Sequence, residues 1–111
     1  MGAGAMAWVY LVLAGLFEIG FTTSMRYMDW SLKPWPILAF LVCSALSFGL
    51  LIVAMRDIPL GTAYAVWTGI GAAGTVLIGI LVYGEPAGTL RLLLLMLLIG
   101  SIIGLKLVSQ G

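Results

Sequence analysis

The sequence predicts an all-α integral membrane protein, with four transmembrane helices forming a single domain over residues 1–111. Composition is the first observation: 63% of the 111 residues are hydrophobic, 8% are charged and the mean hydropathy is +1.23. Such a chain is too apolar for a soluble domain. The second is that four apolar segments, each near the ~20 residues that a helix needs to cross a ~30 Å hydrocarbon core, use up the chain. The third is that the breaks between them combine charges with Pro or Gly, as turns do.

In chain order, the predicted helices run approximately over residues 6–26, 34–55, 60–83 and 88–108. The breaks read MDWSLKP, RDIP and GEPAG, which are too short to hold a soluble catalytic domain. The fourth helix has an uncharged stretch of only 14 residues, from Leu92 to Leu105. Its transmembrane assignment relies on Arg91 and Lys106 extending their side chains to the interfaces.

Several classes of function are excluded by composition. A formal net charge of +1 without clustered Lys and Arg argues against a nucleic-acid partner. One cysteine, Cys43, and no histidine leave no ligand set for zinc or iron, so neither a metal nor a cofactor is expected. No nucleophile, base and orienting group occur together, so an enzyme is not expected. The N-terminus lacks the basic region of a secretory signal, and Met6 is an alternative start that would make residues 1–5 an addition.

Charge placement bears on orientation and assembly. With these spans, one membrane face carries Arg26, Lys33 and Arg91, and the other carries Arg56, Lys106 and the terminal amine. Since the Lys and Arg imbalance of short loops sets topology, a balanced chain has little reason to choose one orientation. Four short helices make a thin bundle in which an acid has few partners, and a second copy would help to enclose a polar cavity. We therefore expect a dimer, and an antiparallel arrangement is one option.

Glu18 is the outstanding residue, because it lies within an otherwise uncharged run from Met1 to Met25. An ionised carboxylate at membrane depth costs roughly 2.5–3.5 kcal/mol on insertion scales, so such residues usually face a bundle interior and mark a proton or ion site. On the same helix face, Gly15 leaves room beside the acid, Phe21 adds an apolar wall and Thr22 offers a hydroxyl. The alternative interpretation of Glu18 is a structural one, in which it makes a fixed hydrogen bond between helices.

Other candidates lie on the second and third predicted helices. Tyr64 and Trp67 are three residues apart and therefore neighbours on one face, where their rings could hold a cation. Packing alone is the rival interpretation for Trp67. Ser47 places a small polar group at middle depth, although serines in membrane helices commonly bond their own backbone.

Glycine patterns provide sites of flexibility or close packing. Gly69 and Gly71 belong to a G-x-G-x-x-G string, but no strand precedes it, so a nucleotide site is excluded and a thin or bending section of helix is expected. Gly100 and Gly104 form a GxxxG pattern suited to helix association, or are simply ordinary glycines of a membrane helix.

These residues resemble the small multidrug resistance family, and most of all its guanidinium-exporter subtype. The resemblance covers essentially the whole chain and is carried by AGLFE at 14–18, PLGTAYAVWTGIGA at 59–72 and IIGLK at 102–106. It implies antiparallel, dual-topology dimers in the inner (plasma) membrane that exchange protons for small cations. By motif position, it implies that Glu18 binds proton and substrate, Tyr64 gates, Trp67 contacts substrate and Ser47 hydrogen-bonds the carboxylate.

The chain departs from that subtype after the acid. Phe21 stands where guanidinium exporters usually carry Trp, and TTSMR at 22–26 is closer to the quaternary-ammonium subtype. Export of guanidinium or small substituted guanidines is the first hypothesis, export of hydrophobic quaternary ammoniums the second, and a non-transporting structural subunit the third. The altered helix also fits a subunit that pairs with a paralogue, so a homodimer and a heterodimer both remain open, as does the transport stoichiometry.

Overall fold

A computed structural model describes residues 3–28 and 33–108. Their regular structure is helical: α1 is Ala3–Arg26, α2 is Pro34–Ala54, α3 is Leu60–Tyr83 and α4 is Thr89–Val108. Each helix is long and apolar enough to cross a membrane. The prediction of an all-α protein with four transmembrane helices is therefore confirmed, including the short fourth helix, whose mean hydropathy is 2.2. Relative to the predicted segments, α1 begins three residues earlier, α2 ends one residue earlier and α4 begins one residue later.

Proline and glycine set several of the helix ends. Pro34 starts α2, where a residue without an N–H is tolerated because the first N–H groups of a helix have no intrahelical acceptor. Pro59 precedes α3, and its carbonyl accepts the Ala63 amide at 2.9 Å. Gly84 ends α3 with φ +68°, and the following Glu85 amide donates to the Gly79 carbonyl at 3.0 Å. A left-handed residue at a helix end favours glycine, which explains this break.

The bundle is organised around α1, which packs against both α2 and α3, while α4 packs against α3. The buried core comes from three helices and the turn between α2 and α3. Four of its nine members among the described residues are alanine, and the nine are Ala7, Leu11, Ala14, Leu51, Ala54, Ile58, Ala63, Val66 and Trp67. Small side chains let membrane helices approach closely, which is how such helices gain packing contacts in lipid.

Two glycines lie at close helix crossings. A Cβ added at Gly15 would lie 2.6 Å from Cγ2 of Ile70, on α3. One added at Gly69 would lie 2.8 Å from Cδ1 of Ile102, on α4. The expected role of these residues in helix approach is consistent with this geometry, and α3 itself runs unbroken through the G-x-G-x-x-G string.

The outer face of α4 is open within the protomer. Leu95 is the buried residue of this helix, and a Cβ at Gly100 or Gly104 would meet nothing within 4 Å. The GxxxG pattern thus does not serve packing between helices of one chain. It is left available for another molecule.

The two ends of the bundle carry separate groups of charges. At the end where α1 and α3 finish, the Arg26 guanidinium lies 3.8 Å from the ring centroid of Tyr83, and Arg91 bonds Glu85 at 2.9 Å. At the opposite end, the Lys106 ammonium lies 5.3 Å from the ring centroid of Trp8. This agrees with the grouping of Arg26 with Arg91 against Lys106. Trp30, in the first break, lies outside the described residues.

The close crossing of α1 and α3 yields a first prediction. Gly15→Ala should destabilise the protein by about 1–3 kcal/mol, the usual cost of overpacking, because the new Cβ also lies 2.8 Å from the unyielding Ile70 Cβ. Gly49→Ala is the control, since a Cβ there meets nothing within 4 Å. Thermal unfolding of both variants in detergent measures the difference. Equal melting temperatures would contradict the described crossing.

Candidate functional site

Glu18 lies in α1, eight residues before its end at Arg26, or roughly 12 Å along the helix axis. The residue is half-buried. Its carboxyl group rests on the backbone of Gly71 in α3, so closely that a Cβ at position 71 would overlap Oε1 and Cδ. Among the described residues, the buried Oε1 atom has no hydrogen-bond partner. The acid therefore faces the seam between α1 and α3 with one oxygen available for a proton or a ligand.

Gly71 makes that position possible. Any side chain at residue 71 would occupy the volume of the Glu18 carboxyl. The expectation for this glycine was flexibility or close packing. In the structure, the missing side chain of Gly71 leaves the space that the Glu18 carboxyl group occupies.

Ser47 and Trp67 form a buried hydrogen-bonded group about one turn of α1 from the acid. The Ser47 hydroxyl donates to the Ala14 carbonyl at 2.6 Å and accepts from the Trp67 indole N–H at 2.9 Å. Ser47 is fully buried and Trp67 is 8% exposed. A hydroxyl can donate only one hydrogen bond, and Ser47 donates its bond to the Ala14 carbonyl. Ser47 therefore does not donate to the Glu18 carboxylate in this conformation. Its contact with the acid is indirect, through the helix turn from Ala14 to Glu18.

Phe21 and Tyr64 complete an aromatic series with Trp67. Ring centroids lie 5.8 Å apart for Phe21 with Phe40 and with Phe48, and 5.7 Å apart for Phe48 with Trp67 and for Trp67 with Tyr64. Such spacings are those of favourable tilted or edge contacts. Tyr64 is 56% exposed and Phe48 is 46% exposed, so the series is open on both sides of the buried Trp67. The tyrosine proposed as a gate is thus accessible.

Thr22 does not orient the carboxylate. Its hydroxyl lies 2.9 Å from the Glu18 carbonyl and 3.0 Å from the Ile19 carbonyl, and Thr75 lies across the seam at 2.9 Å. Since both carbonyls are acceptors, Thr22 donates to its own helix, and the Thr75 hydroxyl donates to Thr22. The hydroxyl pair joins α1 to α3 one turn from the acid.

Sequence reasoning missed Thr75, which extends the polar face of α3 around Gly71. Thr68 and Thr75 lie three residues before and four residues after Gly71, a spacing that places all three on one helix face. The Thr68 Oγ1 atom is buried and lacks a hydrogen-bond partner among the described residues, as does Ser44 Oγ in α2. The three-and-four spacing that makes Tyr64 and Trp67 neighbours also brings Thr68 and Gly71 near their face, and extending it by one turn would have added Thr75.

Fold and site together define a small multi-pass membrane protein with one acid at a helix seam beside an aromatic series. The sequence pattern described as Small Multidrug Resistance protein matches residues 6–98. The chain is 48% identical to "Guanidinium exporter" of Yersinia pseudotuberculosis and 44% identical to "Guanidinium exporter" of Proteus vulgaris. It is also 44% identical to "Probable guanidinium efflux system subunit GdnD" of Bacillus licheniformis. Each match spans 104 residues, which is 94% of this chain and all of the relative.

The chain belongs to the small multidrug resistance family. This confirms the resemblance noted in the sequence, and it identifies a multi-pass membrane protein of a transporter family rather than of an enzyme family. The roles of individual site residues stay predictions.

The buried serine leads to the second prediction. Ser47→Ala should destabilise the protein by about 1–3 kcal/mol, because the Trp67 indole N–H would lose its acceptor in a buried place. Ser101→Ala is the matched control: its exposed hydroxyl donates to the Leu97 carbonyl at 2.8 Å, within its own helix. Denaturation in mixed micelles, followed by tryptophan fluorescence, compares them. A Ser47 variant as stable as the Ser101 variant would contradict the buried network.

Proposed function

We propose that the protein exports guanidinium, or a small substituted guanidine, across the inner membrane in exchange for protons, and that both bind at Glu18. The observation that carries this is the position of Glu18. It is the one acidic residue of the sequence inside a membrane span, and its buried oxygen lacks a hydrogen-bond partner among the described residues. Guanidinium is chosen as the cation because the relatives are named "Guanidinium exporter".

Exchange follows from competition for one carboxylate. In a medium of low dielectric, a bare carboxylate is costly, and either a proton or a bound cation removes that cost. The two cannot occupy the same oxygen atoms together, so each displaces the other. If the empty, ionised site disfavours the change of access and the loaded site permits it, an inward proton gradient drives the cation outward.

Guanidinium suits the carboxyl group because its planar N–H pairs can bind both oxygens at once. The rings of Trp67 and Tyr64, 5.7 Å apart, offer faces on which a flat cation can stack. Ser47 and Ala14 hold the Trp67 indole in place. In this proposal Trp67 and Tyr64 contact substrate, whereas Ser47 positions Trp67.

A dimer would enclose the site. Tyr64 is 56% exposed and Phe48 is 46% exposed, so in a lone protomer the aromatic series opens outward. The open GxxxG face of α4 provides a surface on which a second chain could pack. The balance of Lys and Arg between the two ends fits insertion in both orientations, and hence an antiparallel homodimer. The word "subunit" in the name of the Bacillus licheniformis relative keeps the heterodimer with a paralogue as the alternative.

Export of hydrophobic quaternary ammoniums is the second candidate function. It is favoured by Phe21, whose contacts with Phe40 and Phe48 extend the apolar aromatic wall without an indole N–H. A quaternary ammonium donates no hydrogen bonds and would depend on such ring faces. Transport assays with both cation classes separate the two functions.

The third prediction concerns the acid. Glu18→Gln keeps the shape of the side chain but cannot exchange a proton, so it should abolish guanidinium-driven currents in reconstituted vesicles. Glu85→Gln, at the membrane face and bonded to Arg91, should retain most of the current. Solid-supported membrane electrophysiology with guanidinium, substituted guanidines and quaternary ammoniums provides the measurement.

Three outcomes of that experiment would count against the proposal. Full currents with Glu18→Gln would favour a structural subunit. Currents with quaternary ammoniums alone would favour the second function. Silence of the wild-type protein, followed by recovery when a paralogue is added, would replace the homodimer with a heterodimer.

The fourth prediction concerns the seat of the carboxyl group. Gly71→Ala should reduce transport at least tenfold, because the new methyl group takes the volume of the Glu18 carboxyl and displaces it from the seam. Gly61→Ala, on the same helix with nothing within 4 Å of its Cβ, should transport normally. Guanidinium uptake into vesicles and elution volume in detergent are compared. Normal uptake by a folded Gly71 variant would refute the steric role.

A further inference from the structure

Thr68 has an unusual hydroxyl for a membrane helix. Thr22, Ser24 and Ser101 each donate to a carbonyl of their own helix at 2.8–2.9 Å. That bond is the ordinary way to satisfy a hydroxyl in such a helix. The Thr68 Oγ1 atom is buried, yet it makes no hydrogen bond among the described residues. Burying a hydroxyl without a hydrogen-bond partner is unfavourable, so a ligand that hydrogen-bonds to Thr68 would remove this cost.

The location of Thr68 connects it to the acid. Residues three and four apart on a helix are neighbours on one face. Thr68 comes three residues before Gly71, on which the Glu18 carboxyl rests, and four residues after the exposed Tyr64. Along this face of α3, Thr68 therefore lies between the accessible tyrosine and the carboxyl group. Ser44, the other buried hydroxyl without a partner, is on α2 and not on this face.

The two unpartnered atoms, Glu18 Oε1 and Thr68 Oγ1, share one chemical property, which is that both accept hydrogen bonds. A cation that carries several N–H groups has enough hydrogen-bond donors for both atoms. A quaternary ammonium satisfies neither by hydrogen bonding, and it would leave the Thr68 hydroxyl buried and unpaired. Sites built around a hydrogen bond discriminate strongly against an analogue that lacks the matching group.

We propose that the Thr68 hydroxyl accepts a hydrogen bond from the cation bound at Glu18, and that it makes the site selective for cations with N–H donors over quaternary ammoniums. Two N–H groups of a guanidinium would bind the carboxylate while another donates to Thr68. This inference rests on the proposed function and names a residue that determines the substrate class of that same site.

The test compares two substitutions at one position. Thr68→Val removes the hydroxyl with little change of shape, and Thr68→Ser keeps the hydroxyl. Both proteins are reconstituted in vesicles, and KM and maximal rate are measured for guanidinium and for tetrapropylammonium. Thr68→Val should raise the KM for guanidinium roughly tenfold, as expected for the loss of a hydrogen bond to a charged group. It should leave the KM for tetrapropylammonium unchanged or lower it. Thr68→Ser should behave as wild type toward both cations.

Two results would overturn the inference. An equal rise of both KM values in Thr68→Val would mean that the residue shapes the site without recognising N–H groups. A guanidinium KM as high in Thr68→Ser as in Thr68→Val would mean that the methyl group, not the hydroxyl, matters.

Failure of the inference and failure of the proposed function are distinguishable. If wild-type protein moves no guanidinium while it moves tetrapropylammonium, the proposed function is wrong before any variant is made. If wild-type protein moves guanidinium and Thr68→Val does so with an unchanged KM, the function stands and the role of Thr68 is wrong. Equilibrium binding to purified protein in detergent, read from tryptophan fluorescence, checks that the KM change reflects affinity.

Discussion

The Glu18 carboxyl group packs directly on the bare backbone of Gly71, and this contact sets the position of the acid. A carboxyl group can lie in this seam only because residue 71 has no side chain and because α1 approaches α3 closely. Gly15 permits that approach against Ile70, and the hydroxyl pair of Thr22 and Thr75 joins the same two helices one turn away. The acid is therefore held in position by packing between helices.

The polar groups of the candidate site are of two kinds, which differ in whether they already have hydrogen-bond partners. The Ser47 hydroxyl donates to the Ala14 carbonyl and accepts from the Trp67 indole N–H. All the hydrogen bonds of this buried group are therefore made, which keeps it rigid. Glu18 Oε1 and Thr68 Oγ1 make no such bonds among the described residues. The hydrogen bonds of Ser47 fix the Trp67 indole, whereas we propose that Glu18 Oε1 and Thr68 Oγ1 accept hydrogen bonds from a ligand. In the proposed site, affinity for a ligand would come from the few atoms that gain hydrogen-bond partners when it binds.

Much of the fold follows from sequence alone, because four apolar segments with charged breaks have few other solutions in a bilayer. The ends of α2 and α3 follow from Pro34, Pro59 and Gly84, which act locally. The partners of side chains do not follow in this way. Ser47 was expected to bond Glu18 but bonds Ala14, since the choice among nearby acceptors depends on how two helices cross. Gly71 was expected to bend or thin α3, and its contact with the acid became visible only once α1 was placed beside it.

In the proposed function, one carboxyl group exchanges a proton for a cation. Adding guanidinium to purified protein in weak buffer and following proton release with a pH indicator measures this exchange. We expect proton release that saturates with guanidinium concentration over a range of pH, and none from Glu18→Gln. Guanidinium binding without proton release at any pH, or equal release from the Glu18 variant, would contradict it.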